Sequence, residues 1–434
     1  MPLNMKQWDT RTVSLNELRS VFARRLESAS ESAEASVRQI LERVRREGDS
    51  AVLDYTRQWD HALAQKLRVE EEEIEAACKR VRQTPLWDVL ERASARIRRF
   101  HERQKQNSWA SMEVPGEILG QMITPLARVG IYIPGGSVAY PSTVLMTAIP
   151  ASVAGVEAVA VATPPNRETG LPPDATLAAC RIAGVNEVYR MGGAQAIGAL
   201  AYGTASVPAV DKIVGPGNVY VNTAKRLVYG TVGIDSLAGP SEVAALIDDS
   251  VEPETVAADI IAQCEHDPLN SALLVSPSEA ILSAVLAEIE RQLETLPRAE
   301  VVRKALEQHS FVVRTDSLAE AAAVVSVFAP EHLHLDVRDP WGILGSIRNA
   351  GAILIGPYTS ASLGDYVAGP SHTLPTAGGA RFDSPVSVDT FCKRSSVLYF
   401  SRETAQPLAE DAALLAEFEG LEAHARAARR SLPG

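Results

Sequence analysis

The chain has 434 residues, too many for one ordinary hydrophobic core, so two or more domains are expected. Hydrophobic residues make up 46 % and charged residues 22 %, which is the balance of a water-soluble enzyme and excludes a disordered or membrane-embedded chain. A net charge of −12 argues against nucleic acid as a partner, because phosphate contacts need a basic face.

The opening stretch, "MPLNMKQWDTRTVS", lacks the apolar core of a secretory signal. Up to about Ser111 the chain is charged and helical in pattern, with Val37, Ile40, Leu41 and Val44 at helical spacing. Its basic run, "RVRREGD", is the solvated face of such a helix. Pro115 to Pro125 reads as a linker. From Arg128 short apolar runs close in Gly or Pro ("VGIYIPGG", "AVAVATPP", "EVYRMGG", "KIVGPGN") and alternate with helical segments. A second series follows through "EVAALIDD", "SALLVSP", "SFVVRTD", "HLHLDV" and "GAILIG". This alternation predicts an α/β protein with parallel sheets covered by helices. After about Arg381 the chain ends in a helical tail whose apolar stripe is Leu408, Leu414, Leu415, Phe418 and Leu421.

The longest near-apolar stretch, Val144 to Val156, is too short to span a bilayer. Cys78, Cys180, Cys264 and Cys392 are scattered with no C-x-x-C, which fits a reducing compartment. A cytoplasmic protein with no membrane partner is the expectation. In open α/β sheets ligands sit beyond the carboxyl ends of the strands, so the Gly-rich loops there are the expected place for a site.

Four clusters could carry chemistry. In "IIAQCEHDP", Gln263 and His266 are about 60° apart on a helix and can reach one point. A carboxamide oxygen and an imidazole both suit zinc, although for this cluster alone a polar helix end before Pro268 is the stronger reading. The loop "SLGDYVAGPSHTLPT" holds Asp365 and His372; the bland alternative is a turn residue and an exposed His. Glu419 and His424 lie in the tail, about 140° apart on a straight helix, so they share a face only if Gly420 bends the chain. In "FAPEHLHLDV", Glu331 and His332 stand at the head of an apolar strand. Neighbours on an ideal strand face opposite ways, so both can serve one substrate only where the strand begins, after Pro330. His334, on the same strand face as His332, reads as structural. No G-x-G-x-x-G is present; "GGAQAIG" and "GPGNVY" allow close approach of backbone to phosphate without being the dinucleotide fingerprint.

The combination "RVGIYIPGGSVAYPSTVLM", "GGAQAIGALAYGT", "VGPGN", "LAGPSEV", "QCEHDP", "APEHLHL", "GDYVAGPSHTLPT" and "EGLEAH" resembles the histidinol dehydrogenase family, in order, from Arg128 to His424. The resemblance implies a zinc- and NAD-dependent enzyme that oxidises L-histidinol through L-histidinal to L-histidine. It implies zinc ligands at Gln263, His266, Asp365 and His424, and paired bases at Glu331 and His332. Substrate would touch Ser241, His372 and Glu419 besides the four ligands and His332, and NAD would touch Tyr132, Gln195 and Asn218. Cys264 departs from the family, which more often has a small residue there.

The fold implied is two incomplete Rossmann-like parallel-sheet domains with helical N-terminal and C-terminal extensions. Its expected parts are an arm over 1–25, a first α/β domain over 26–128 and 239–380 with the metal and catalytic residues, an NAD-binding domain over 129–238, and a tail over 381–434 exchanged within a homodimer. The alternatives are a related zinc and NAD dehydrogenase acting on another small alcohol or diol, and a metal-binding scaffold without catalysis.

Overall fold

The structure, a computed structural model, describes residues 3–23, 30–135 and 138–430. The chain opens with strand β1 (Lys6–Asp9) and helix α1 (Leu15–Ala23). Helices α2 (Ser30–Glu47), α3 (Asp49–Trp59), α4 (Glu71–Val81) and α5 (Leu86–Glu102) come next, then strands β2 (Trp109–Ser111) and β3 (Glu117–Pro125). One α/β series runs β4 (Arg128–Tyr132), α6 (Pro141–Ala154), β5 (Ala158–Thr163), α7 (Asp174–Ala183), β6 (Glu187–Arg190), α8 (Gly193–Tyr202), β7 (Lys212–Val214), α9 (Val219–Val228) and β8 (Gly233–Ile234). The next runs β9 (Glu242–Ile247), α10 (Pro253–Cys264), β10 (Ser271–Ser276), α11 (Glu279–Leu293), α12 (Ala299–His309), β11 (Phe311–Arg314), α13 (Leu318–Phe328), β12 (His332–Asp336), α14 (Pro340–Leu344) and β13 (Ala352–Ile355). A short helix α15 (Ala361–Leu363) leads into a π-helical turn (Gly364–Ala368), and strand β14 (Cys392–Phe400) and helices α16 (Arg402–Phe418) and α17 (Glu422–Arg430) close the chain.

Two parallel sheets form the body. One has the order β1-β11-β10-β9-β12-β13 and the other β6-β5-β4-β7-β8. Helices cover both faces of each, as crossover connections require. Alternation along β12 sends Leu333 and Leu335 into packing with α13. Its other face, paired to Val243, Ala245 and Ile247 of β9, lies on the side covered by α10, α11 and α12.

Three features depart from the sequence expectations. The proposed linker is a strand: β3 pairs antiparallel with β14 along its whole length, and β2 completes this third sheet. Its partner is far along the chain, β14 is largely exposed and β3 is half-buried on both faces, so neither has the buried alternation that marks a strand locally. Residues 6–9, expected in an arm, form an edge strand of the six-stranded sheet beside β11. The segment assigned to the first domain packs elsewhere: α2 and α3 bury Val37, Leu41, Val44 and Val52 against α8 and α9, and α4 and α5 pack on α6 and α7. Helices α2–α5 therefore cover the five-stranded sheet. A helical stripe shows which side is buried but not which sheet receives it.

Among the described residues, no helix is long and apolar enough to cross a membrane.

Candidate active site

Helix α13 ends at Ala329, whose φ of 52° is rare for a residue other than glycine. This turn delivers Pro330 and Glu331 to the amino end of β12. The Glu331 backbone is pinned there, since Ala352 N–H donates to its carbonyl at 2.8 Å and Gly351 N–H to that of Pro330 at 2.9 Å. A Cβ on Gly351 would lie 2.7 Å from the Glu331 carbonyl oxygen, so only glycine fits. Both side chains of the pair are buried, with Glu331 Oε2 3.8 Å from His332 Nδ1 and accepting the Glu242 N–H at 3.2 Å. The strand does begin at this point, which lets two sequence neighbours meet.

His332 Nε2 lies 3.3 Å from Asp365 Oδ1. Asp365 sits in the π-helical turn, a local insertion that often marks functional sites. Its carbonyl accepts His372 Nδ1–H at 2.6 Å, which leaves His372 Nε2 to accept the Thr143 hydroxyl at 3.1 Å. His372 is thus a partly buried, positioned imidazole rather than an exposed turn residue. His332, Asp365 and His372 line one cavity of about 590 Å³.

Burial pushes the Glu331 carboxyl up to about 7, against the opposing pull of His332 and the Glu242 N–H. Burial acts to lower His332, yet its hydrogen bond to Asp365 and the charges of Glu331 and Asp365 outweigh it, and the net shift is upward. Burial lowers His372. Two adjacent groups can therefore exchange protons near neutrality.

This centre lies at the amino ends of the six-stranded sheet, not beyond the carboxyl ends as expected. Asp365 reaches it because the chain after β13 folds back. Ser241, at the head of β9, and Gln263, in the last turn of α10, are joined by Asn270: its Oδ1 accepts Ser241 N–H at 3.0 Å and its Nδ2 donates to the Gln263 carbonyl at 2.7 Å. The Gln263 side chain is buried. The expected sharing of one helical turn with His266 fails, because α10 ends at Cys264 and His266 is exposed beyond it. Glu419 caps the end of α16 and His424 lies on α17. Gly420, at φ 76°, separates these helices, so the anticipated bend exists. Both residues are exposed. Cys264 is buried and burial pushes its thiol up to about 12, which makes it unreactive.

A second cavity, of about 570 Å³, lies at the carboxyl ends of the five-stranded sheet and is lined by Tyr132, Gln195 and Asn218 together. The strand order reverses at β4, with β5 on one side and β7 on the other, so this is the crevice where such sheets bind ligands. Tyr132 Oη accepts the Gly193 N–H at 3.1 Å at the start of α8. Asn218 caps α9 by accepting the N–H groups of Tyr220 and Val221 at 3.0 and 3.1 Å. Gly215, at φ 119°, is clamped from both sides: Asp235 accepts its N–H at 2.7 Å and Lys225 donates to its carbonyl at 3.0 Å. Lys225 and Asp235 also pair directly and are buried.

Sequence reasoning missed Thr143, Asn270, and the Lys225–Asp235 clamp. It also missed Asp259 and Asp336, which meet His334 behind the centre. One ligand atom from each of the three lies within 4.8 Å of the others. Burial pushes Asp259 and Asp336 each up to about 6 and His334 down to about 4. The alternation in "HLHLD" was a readable signal for two of them.

The histidinol dehydrogenase family model matches residues 23–432. The chain belongs to the histidinol dehydrogenase family. Family membership makes it an oxidoreductase. It is 49 % identical over 415 residues to the histidinol dehydrogenase of Synechococcus sp., covering 95 % of each chain. It is 48 % identical over 435 residues to that of Geobacter metallireducens, covering 99 % of each. The crystal structure of histidinol dehydrogenase from Elizabethkingia anophelis superposes with a TM-score of 0.91 at 35 % identity, covering 98 % of both chains.

Proposed function

We propose that this chain oxidises L-histidinol through L-histidinal to L-histidine, the last steps of histidine biosynthesis, reducing two NAD and using one zinc ion. The side-by-side burial of Glu331 and His332 is the observation that carries the two-stage reading. Oxidising the alcohol removes one hydroxyl proton. Oxidising the aldehyde needs water added to the carbonyl, and so another proton removed. His332, held by Asp365, takes the alcohol proton. Glu331, deprotonated above about pH 7, activates the water.

NAD fits the cavity of the five-stranded sheet. Two helix amino ends, of α8 and α9, border it and suit phosphate. The buried Gln195 Oε1 has no hydrogen-bond partner and can accept from a ligand there. NAD supplies the hydride acceptor.

Zinc fits the donor chemistry of Gln263, His266, Asp365 and His424. One carboxylate among neutral ligands leaves a site of formal charge +1, which holds the imidazole and amine nitrogens that histidinol offers. The buried Gln263 and the half-buried Asp365 beside His332 support this set. Ser241, His372 and Glu419 would contact substrate. Because His424 and Glu419 are exposed on the tail, we infer a homodimer in which each tail serves the partner's site.

The test is NADH formed per L-histidinol consumed. Two, with little free aldehyde, is expected. One, with aldehyde accumulating, overturns the two-stage reading, and NADH from other diols but not histidinol favours a different small alcohol.

A further inference from the structure

Strand β12 reads His332-Leu333-His334-Leu335-Asp336. With both leucines turned toward α13, its three polar side chains face α10. Asp259, one helical turn before Gln263, is on the facing side of α10. His334 Nδ1 lies 3.3 Å from Asp259 Oδ2. His334 is 2 % exposed and Asp336 5 %, yet His334 Nε2 and Asp336 Oδ1 have no hydrogen-bond partner. Buried polar atoms are ordinarily satisfied, and the proposed proton transfers use none of these three groups.

We propose that Asp259, His334 and Asp336 form a second cation site, distinct from Gln263, His266, Asp365 and His424, that takes one first-row divalent ion such as Mn²⁺ or Zn²⁺. Two carboxylates balance the charge of such an ion, and one imidazole nitrogen with carboxylate oxygens suits manganese or zinc better than calcium. At roughly 2 Å from each ligand atom, donors around one ion lie at most about 4 Å apart. The present spread, within 4.8 Å, closes with small side-chain rotations. The Asp259 side chain is 19 % exposed, which gives the ion a route in from that side. Water on that side completes the coordination. The ion would brace β12 against α10 directly behind His332.

The full-length enzyme is stripped with chelator, reloaded with Zn²⁺ or Mn²⁺ alone, freed of excess metal, and its metal content measured by mass spectrometry. Wild type should hold two ions per protomer. Asp259→Asn and Asp336→Asn should each hold one, Asp365→Ala one, and Asp336→Asn/Asp365→Ala almost none. A single ion in wild type that survives both Asn substitutions overturns the site. So do two ions in wild type that both survive them. If Asp365→Ala loses nothing while the Asn variants each lose one, this site stands and the zinc ligand set proposed above fails. Should neither Asn variant fold, the Mn²⁺ form of Asp365→Ala decides alone by pulsed electron spin resonance. One coordinated imidazole nitrogen supports the site, and two such nitrogens, or no bound ion, overturn it.

Discussion

At the scale of single residues, Glu331 and His332 have the same neighbours but different partners, and this separates their roles. Glu331 faces the Glu242 N–H, whereas His332 faces Asp365. The Glu331 carboxyl, pushed up by burial to about 7, holds its proton below that pH and is a base above it. Oxidation of supplied histidinal should therefore rise as pH passes upward through about 7. Glu331→Gln should remove that rise and slow the aldehyde step by roughly 10²- to 10⁴-fold, while His332→Asn slows alcohol oxidation by a similar factor. Half-reaction rates across neutral pH check this, and equal loss of both steps in both variants counts against the division. The pair itself was readable in "PEHLHL", because proton chemistry uses few residue types. Their surroundings were readable only in part: Asp365 stood out in its Gly-rich loop, whereas Glu242 and Asn270 reach the centre through tertiary contacts that leave no local pattern.

At the scale of elements, alternating strands and helices were legible because most strands of the two parallel sheets are buried on both faces and several end in glycine or proline. What escaped was pairing between distant or exposed segments, such as β3 with β14 and β1 with β11, and the stop of α10 before His266. The turn after β7 leads from the sheet to Asn218 at the cavity proposed for NAD. Its Gly215 has φ 119°, and an added Cβ would lie 2.2 Å from the Tyr132 carbonyl oxygen. Gly215→Ala should cost roughly 1–3 kcal/mol of stability. It should also weaken NAD binding measured by calorimetry, with metal content unchanged. Lys225→Met leaves Asp235 buried without its cation, a loss of about 3–5 kcal/mol in urea unfolding, because an unpaired buried charge is costly. A loss under about 1 kcal/mol would mean that water reaches Asp235 and that the clamp is not what holds the turn.

At the scale of the whole molecule, the tail is the part that the body of its own chain covers least. Helices α16 and α17 pack on each other through a small cluster of Ala413, Ala416, Ala425 and Ala428. The stripe expected to be covered is open instead, with Leu414 65 %, Leu415 66 % and Phe418 94 % exposed. Neighbouring apolar groups of this size seek a covering surface. A second copy of the chain supplies one if each tail crosses to its partner, carrying Glu419 and His424 to the other subunit's Glu331–His332 centre. A two-fold dimer then has two sites, each with a body from one chain and a tail from the other. His332→Asn chains mixed with His424→Asn chains after joint refolding would distinguish crossing from folding back. In a mixed dimer one site receives both defects and the other receives none, so with random pairing about a quarter of all sites regain activity. If each tail returns to its own body, every site keeps one defect and no activity returns, even with heterodimers verified by mass. Phe418→Ser, which weakens the apolar face that the proposed dimer would cover, should lower the rate at dilute protein and recover it at high concentration. A rate per chain independent of concentration in that variant, together with absent rescue in the mixture, would locate the complete site within one subunit.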